Sequence, residues 1–243
     1  MKKIVLLLAF ISFSVSCSDD ITDLNTDTKR PTQTKPEYLF TNAEKALVDQ
    51  MVNTSVNLNV FRLFCQYWAE TTYPDESQYN ITTRSIPDNH FTILYRDVLR
   101  DLQESKMLLE GESAPTPEAQ ATLNNKKAII AILTAYTYNV LVDTYGDIPY
   151  TEALDIQNHP LPKYDKGIDV YKDLITKLTA AANQINANAD SFGDADLIYG
   201  GNATKWKKFA NSLRLRMAVN LHDVDPTYAS AQITAAVGAG LIV

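Results

Sequence analysis

Apolar residues recur every three or four positions along most of the chain, the period of a helix buried on one face. Over residues 37–51, Leu39, Phe40, Ala43, Ala46, Leu47 and Met51 form one stripe, and Pro36 suits a first helical turn. Residues 55–70, rich in Leu, Phe, Tyr and Trp, predict a second helix. Its stretch Phe61-Arg62-Leu63-Phe64-Cys65 gives Cys65 the role of a small buried hydrophobe. A polar, aromatic loop follows over residues 71–80. Residues 88–109 carry the cleanest pattern, with Phe91, Leu94, Tyr95, Val98, Leu99, Leu102 and Leu109 facing one way and Asp88 as N-cap. Thr116-Pro117 opens a helix that runs to about Tyr145, and its apolar run over 128–138 is wide enough to be buried on most sides. Gly146 takes the left-handed position past its end, and Pro149 forces Ile148 into an extended shape. Asp165 caps a helix to about Asn188. Asn202 caps residues 203–222, with Trp206, Phe209, Leu213 and Met217 inward, and Asp225-Pro226 starts a last helix over 227–237.

Seven helices and no convincing strand make the chain all-α, and their short connections predict stacked antiparallel helix pairs. Glycine is scarce, 8 in 243 residues, where a turn-rich β-sandwich needs more. No exact 34-residue repeat is present, so periodicity alone does not make the pairs tetratricopeptide repeats. Hydrophobic residues at 45% and charged residues at 21% exclude wholesale disorder. Two cysteines exclude a disulfide scaffold. The formal net charge of −7 argues against a nucleic-acid partner, because the densest basic stretch, 205–216, lies on a single helix.

The N-terminus reads as a targeting segment. Lys2 and Lys3 precede an unbroken apolar run over 4–11, then Ser-rich positions and Cys17. The run falls short of the roughly 20 apolar residues of a membrane-spanning helix, and no later segment reaches that length. Residues 1–16 are therefore expected to be a signal peptide. Val15-Ser16-Cys17 resembles a bacterial lipobox, with Ser14 where Leu is usual, which implies lipidation of Cys17; an ordinary cleaved signal is the alternative. Removing Lys2 and Lys3 with the leader takes the net charge from −7 to −9. Residues 17–36 are polar and without apolar period, as in a flexible tether, and residues 37–243 make up the helical domain.

Enzyme chemistry has no visible carrier. His90, His159 and His222 have no acidic or cysteine partner at ligand spacing, and no nucleophile elbow, phosphate loop or metal motif occurs, so no cofactor is implied. The loop after the second predicted helix is different. Tyr73, Asp75, Gln78, Tyr79, Asn80 and Arg84 combine aromatic faces, which stack on a sugar ring, with groups that bond its hydroxyls. The same residues also suit a polar loop that packs two tyrosines on the scaffold. Trp68, beside that loop, is open to either role. Trp206 reads as core, and Tyr145, Asp147 and Tyr150 as a fixed helix exit with Asp147 bonding backbone.

Five segments carry a resemblance in order along the chain: the lipobox, the tether, Asn89-His90-Phe91-Thr92-Ile93-Leu94-Tyr95-Arg96-Asp97-Val98-Leu99, the stretch around Tyr145-Gly146-Asp147-Ile148-Pro149-Tyr150, and Trp206-Lys207-Lys208-Phe209-Ala210-Asn211-Ser212-Leu213-Arg214-Leu215-Arg216. Together they resemble the SusD/RagB family of outer-membrane lipoproteins from Bacteroidetes. The resemblance implies a tetratricopeptide-like helical fold, a lipid anchor at Cys17 and a place on the outer face of the outer membrane. It also implies a SusC-like TonB-dependent β-barrel transporter as partner, an oligosaccharide or other nutrient as ligand, and no catalysis. Asp19 and Asp20 resemble the surface-export signal of such lipoproteins, and the loop bearing Tyr73, Asp75, Tyr79, Asn80, Arg84 and Trp68 corresponds to one that contributes ligand contacts. Family members run to about twice this length, so the expectation is an N-terminal half or a short member. A helical scaffold binding only protein is the alternative, and a lipid-anchored hydrolase would need an acid cluster at the helix ends.

Overall fold

A computed structural model describes residues 33–242. The expected signal peptide, Cys17 and nearly all of the tether lie outside the described residues. From Lys35 onward the chain forms one unit.

Helix α1, Pro36–Val52, starts on Pro36 as expected and buries Phe40, Ala43 and Leu47 on one face. The Phe40 ring stacks on Phe192 at 3.9 Å between centroids, tying the first helix to a loop far along the chain. The predicted second helix shrinks to α2, Phe61–Phe64. Polar side chains before it satisfy backbone groups that a helix would have used. Ser55 N–H donates to Asn53 Oδ1 at 2.7 Å, and Asn59 Nδ2 donates to Met51 O at 2.7 Å. Arg62 donates to the carbonyls of Val52 and Asn53 and so closes the end of α1. Gln66, left-handed at φ 58°, stops α2 from continuing. Cys65 consequently lies exposed, not in the core.

Helix α3, Ile86–Thr92, continues through a π-helical segment, Ile93–Leu99, into α4, Arg100–Glu110. It begins two residues before Asp88, which sits in its first turn and not at the N-cap, because Pro87 already suits that turn. Helix α5, Pro117–Tyr145, has the Thr116 hydroxyl accepting from Ala119 N–H and ends at Gly146, φ 78°. It is long and apolar enough to cross a membrane, but 67% of its most apolar window is buried inside the protein, as befits a central core helix.

Two short strands, β1 (Ile148–Pro149) and β2 (Tyr164–Asp165), pair antiparallel where no strand was expected. This ribbon redirects Asp165. Its carboxylate accepts from Thr151 N–H at 2.7 Å and Tyr150 N–H at 3.2 Å and caps no helix. Asp147 bonds backbone as expected, accepting from Gly167 N–H at 2.8 Å at the start of α6, Gly167–Gln184. Helix α7, Ala203–Asn220, is capped by Asn202, and α8, Pro226–Gly238, by Asp225.

Successive helices pack in pairs: α1 on α4 and the π segment, α5 on α6, α6 on α7, and α7 on α8. Leu94, Leu102, Ile129, Leu133, Leu174 and Trp206 lie in the continuous core between them. The architecture is all-α and made of stacked helix pairs, as the periodicity predicted.

Candidate functional site

The segment between α2 and α3 is the most aromatic exposed part of the described chain. Tyr67 is 81% exposed, Tyr73 72%, Tyr79 56% and Trp68 45%. The loop is nevertheless held in place. Its backbone makes a 3₁₀ turn over Glu76–Gln78 that ends on Tyr79, left-handed at φ 61°. Asn80 N–H donates to Asp75 O at 2.8 Å and Asn80 Nδ2 to Asp75 Oδ1 at 2.8 Å, which closes the turn. Glu70 N–H donates to Ser77 Oγ at 2.8 Å.

Each predicted site residue has a definite place. Tyr79 stacks on Phe64 with centroids 5.5 Å apart, and its hydroxyl donates to Phe64 O at 2.7 Å. One ring face is thus fixed to the scaffold while much of the residue stays open. The Trp68 ring lies under the Arg62 guanidinium at 5.2 Å, a cation–π contact that orients it. Tyr73 projects from the same loop. Arg84 is turned inward: Nε donates to Glu76 Oε1 at 2.7 Å, a second nitrogen pairs with Glu76 Oε2, and a third group meets Asn57 Oδ1. Asp75 and Asn80 bond each other and Arg84 bonds Glu76, so these three build the loop, while Trp68, Tyr73 and Tyr79 form its exposed face.

Sequence reasoning missed Glu76, Glu70, Asn57 and Tyr67. Arg84 holds the buried Glu76 carboxyl below its ordinary range, while burial and the neighbouring Glu76 raise Glu70. The eight-residue gap from Glu76 to Arg84 matches no helical spacing, so only the folded loop brings them together. Tyr67 was legible as an aromatic but was assigned to a helix.

Beneath the loop lies a cavity of about 340 Å³, walled by Phe61, Phe64, Ile81, Ile86, Glu76 and His90 among others. His90 is buried, which lowers its pKa and keeps the ring neutral. A larger cavity of about 650 Å³ lies between α4, α5, α6 and the ribbon. Its polar groups serve one another: the Tyr150 hydroxyl bonds Asp173, and Lys177 Nζ donates to the Tyr150 oxygen at 2.7 Å. Burial raises the Tyr150 pKa, with Asp173 adding to the effect. Tyr145, in turn, donates to Pro87 O at 2.7 Å, the structural role expected of the helix exit. No group of three or more His, Cys, Asp or Glu is placed to hold a metal among the described residues.

Fold and site define a helical scaffold that presents aromatic faces from a fixed loop, the outline of a binding protein. The chain belongs to the SusD-like family described as starch-binding and associating with the outer membrane, whose sequence profile matches residues 28–243. Among solved structures, a SusD-like protein of Bacteroidetes AC2a is 28% identical with a TM-score of 0.65, over 86% of this chain and 38% of that one. A chitin-binding protein is 26% identical with a TM-score of 0.65, over 86% of this chain and 44% of that one. A SusD homologue from Parabacteroides distasonis shares the fold at 24% identity and a TM-score of 0.66, over 86% of this chain and 40% of that one. No curated protein matches the chain by sequence. The chain spans about two-fifths of the length of these solved relatives.

Proposed function

We propose that this chain is a surface lipoprotein, anchored through Cys17, that binds a glycan on the loop bearing Trp68, Tyr73 and Tyr79 and passes it to a SusC-like TonB-dependent β-barrel transporter. The observation that carries the reading is the set of open aromatic faces on a loop fixed by its own hydrogen bonds, in a chain of a starch-binding, outer-membrane-associated family. Aromatic faces stack on the apolar side of a sugar ring at little entropic cost when they are already held in place. Asp75, Asn80 and Arg84 position those faces, and their remaining lone pairs and N–H groups serve sugar hydroxyls. The ligand is bound and released without a chemical step.

Calorimetric titration with maltose- and N-acetylglucosamine-based oligosaccharides tests the loop. Tyr73→Ala with Tyr79→Ala should weaken the tightest ligand by about tenfold or more, as loss of two stacking faces would. Unchanged affinity in that double variant sinks the assignment of the loop. Isolation from outer membranes by a C-terminal tag tests the rest: a lipid-bearing chain that retains a β-barrel supports anchoring and delivery, and an unlipidated chain without one refutes both.

A second reading, a scaffold that binds protein only, draws on the segment between β1 and β2. There Ile156 is 80% exposed and Leu161 92% exposed, on a loop whose backbone is held by Asp155 and Glu152. We assign these side chains to the contact with the barrel, which makes a protein surface complementary to the glycan loop.

A further inference from the structure

The cavity of about 650 Å³ between α4, α5, α6 and the ribbon shares no wall residue with the aromatic loop. The chain itself occupies one corner of it. Lys177 Nζ lies 2.8 Å from Asp173, 2.7 Å from the Tyr150 oxygen and 4.6 Å from the centroid of the Tyr150 ring. A carboxylate, a hydroxyl oxygen and an aromatic face together suit an alkylammonium group. The cavity thus holds one such group, the end of a four-carbon lysine stem.

The rest of the wall carries the same kinds of group without a cation. Asp165 and Asp169 line the cavity and form no ion pair among the described residues. Asp165 accepts from Thr151 and from Tyr150 N–H, while the Asp169 side chain, in the first turn of α6, makes no hydrogen bond to a described residue. The other cation at the wall, Lys106, lies 3.6 Å from Glu110. Two hydroxyls one helical turn apart on α5 are also uncommitted. Thr137 and Thr144 of that helix donate to the carbonyls four residues back, Leu133 and Val140. Thr134 does not, and its hydroxyl bonds no described residue. Tyr138 is 5% exposed, its ring perpendicular to that of Tyr150 with centroids 4.8 Å apart, and its hydroxyl likewise bonds no described residue. That oxygen keeps accessible surface, so it opens into the cavity and can take a partner from a ligand. Burial raises its pKa and keeps it a hydroxyl at neutral pH.

These groups select the occupant. An anion would face Asp165, Asp169 and Asp173 against two lysines that are each paired. A sugar ring would find no open aromatic face, because Lys177 lies over Tyr150 and Tyr150 packs against Tyr138. An uncharged apolar molecule would strip water from the carboxylates and return nothing. Ammonium groups joined by methylenes meet the carboxylates, the hydroxyl oxygens and the apolar floor of Leu99, Leu102, Ile130 and Val170 at once. The formal net charge of −7 also draws cations to the protein. We infer that this cavity binds a linear aliphatic polyamine, with its end ammonium groups on Asp165 and Asp169, its methylenes across Leu99, Leu102 and Ile130, and an inner N–H donating to the Tyr138 and Thr134 oxygens. The inference is independent of the glycan reading of the loop.

The test is calorimetric titration of the full chain with spermidine, octamethylenediamine and octamethylene glycol. The three have the same chain length; the diamine lacks only the inner nitrogen, and the glycol lacks all charge. Spermidine should bind tightest, the diamine about tenfold more weakly, and the glycol not measurably. Tyr138→Phe should weaken spermidine about tenfold, to the level of the diamine, and leave the diamine unchanged. Asp169→Asn should weaken both about threefold, the share of an exposed ion pair. Neither side chain hydrogen-bonds a described residue, so neither change removes such a bond from the fold. Tyr73→Ala with Tyr79→Ala should leave spermidine binding as it is, which separates the cavity from the loop. Spermidine affinity that Tyr138→Phe and Asp169→Asn both leave untouched, or no affinity in the parent, overturns the inference. Octamethylene glycol binding as tightly as the diamine overturns the ammonium and makes the cavity an apolar site. Magnesium displacing spermidine at equal concentration reduces the binding to surface charge and overturns the inference as well. Dileucine binding more tightly than spermidine, with the same losses in the two variants, overturns the polyamine in favour of a peptide amino terminus.

Discussion

At the residue scale, a buried acid sets a pH dependence. Glu44 of α1 is fully buried, accepts from Leu197 N–H at 2.8 Å and faces Asp196. Asp196 is saturated by donors: Ile198, Tyr199 and Gly201 N–H, and Trp206 Nε1 at 2.6 Å. Burial, with Asp196 adding to it, pushes the Glu44 carboxyl from 4.5 up to about 8, so it holds a proton at neutral pH. Because its folded value lies above its unfolded one, the native state binds more protons in between. Stability from Glu44 is therefore complete below about pH 4.5 and declines as pH rises through about 8, by an amount on the order of a few kcal/mol. Glu44→Gln keeps a donor toward Asp196 and an acceptor for Leu197. Urea unfolding of this variant should show a flatter decline between about pH 5 and pH 8, and higher stability than the parent at the upper end. An unchanged slope would mean that Glu44 is ionised in the folded protein. Gly201 is a second sensitive position. Its φ is +77°, and a Cβ there would meet the Gly193 backbone nitrogen at 2.6 Å. Gly201→Ala should lower unfolding stability by about 1–3 kcal/mol, and a neutral result would show that the Gly193 turn can move aside.

At the element scale, a single side chain joins α5 to the turn after α6. Asn125 of α5 is fully buried and donates to the carbonyls of Asn186, Ala189 and Asp190, while its oxygen accepts from Asn186 N–H at 2.8 Å. The turn after α6 thus takes its shape from α5. Asn125→Ala strips several partly buried backbone groups of their partner and should cost about 1–3 kcal/mol by denaturant titration, with Asn125→Asp no better because it keeps the acceptor, loses the donor and adds a charge. A loss below about 0.5 kcal/mol would mean that water replaces the side chain. This dependence on distant partners also explains what the sequence showed and what it hid. The caps at Thr116, Asn202 and Asp225 were legible because each bonds an N–H three residues ahead. Asp165 looked the same but bonds Thr151 across the ribbon. The π segment was invisible for another reason: Leu94, Tyr95, Val98 and Leu99 supply apolar groups to either helix geometry, so a stripe cannot distinguish them. Residues 55–70 read as helix because they are rich in Leu, Phe, Tyr and Trp, yet Asn53 and Asn59 compete for the backbone there. In the site, Tyr73 and Tyr79 were legible as loop aromatics. The pairing of His90 with Gln50 was not, since forty positions separate them.

At the scale of the whole molecule, two surfaces of different character rest on one core. The loop between α2 and α3, the surface proposed for the glycan, offers aromatic faces beside polar side chains. The loop between β1 and β2 offers aliphatic side chains, Ile156 and Leu161, that neither stack on a ring nor bond a hydroxyl. Its form does not depend on those two side chains: Lys163 N–H donates to Glu152 Oε2 at 3.0 Å, Asn158 N–H to Asp155 Oδ1 at 3.2 Å, and the ribbon closes its ends. Exposed aliphatics on a loop held this way gain most by burial against another protein. Replacing both by Ser should leave thermal stability within about 0.5 kcal/mol of the parent, as surface changes away from special contacts do. Glycan affinity should also stay unchanged, while recovery of the β-barrel with the tagged chain falls severalfold. That pattern would separate delivery from capture. If the double Ser variant retains the barrel fully, the aliphatic loop is not the docking surface. If it loses glycan affinity as well, the two loops act as one site, and the division of labour proposed for them is wrong.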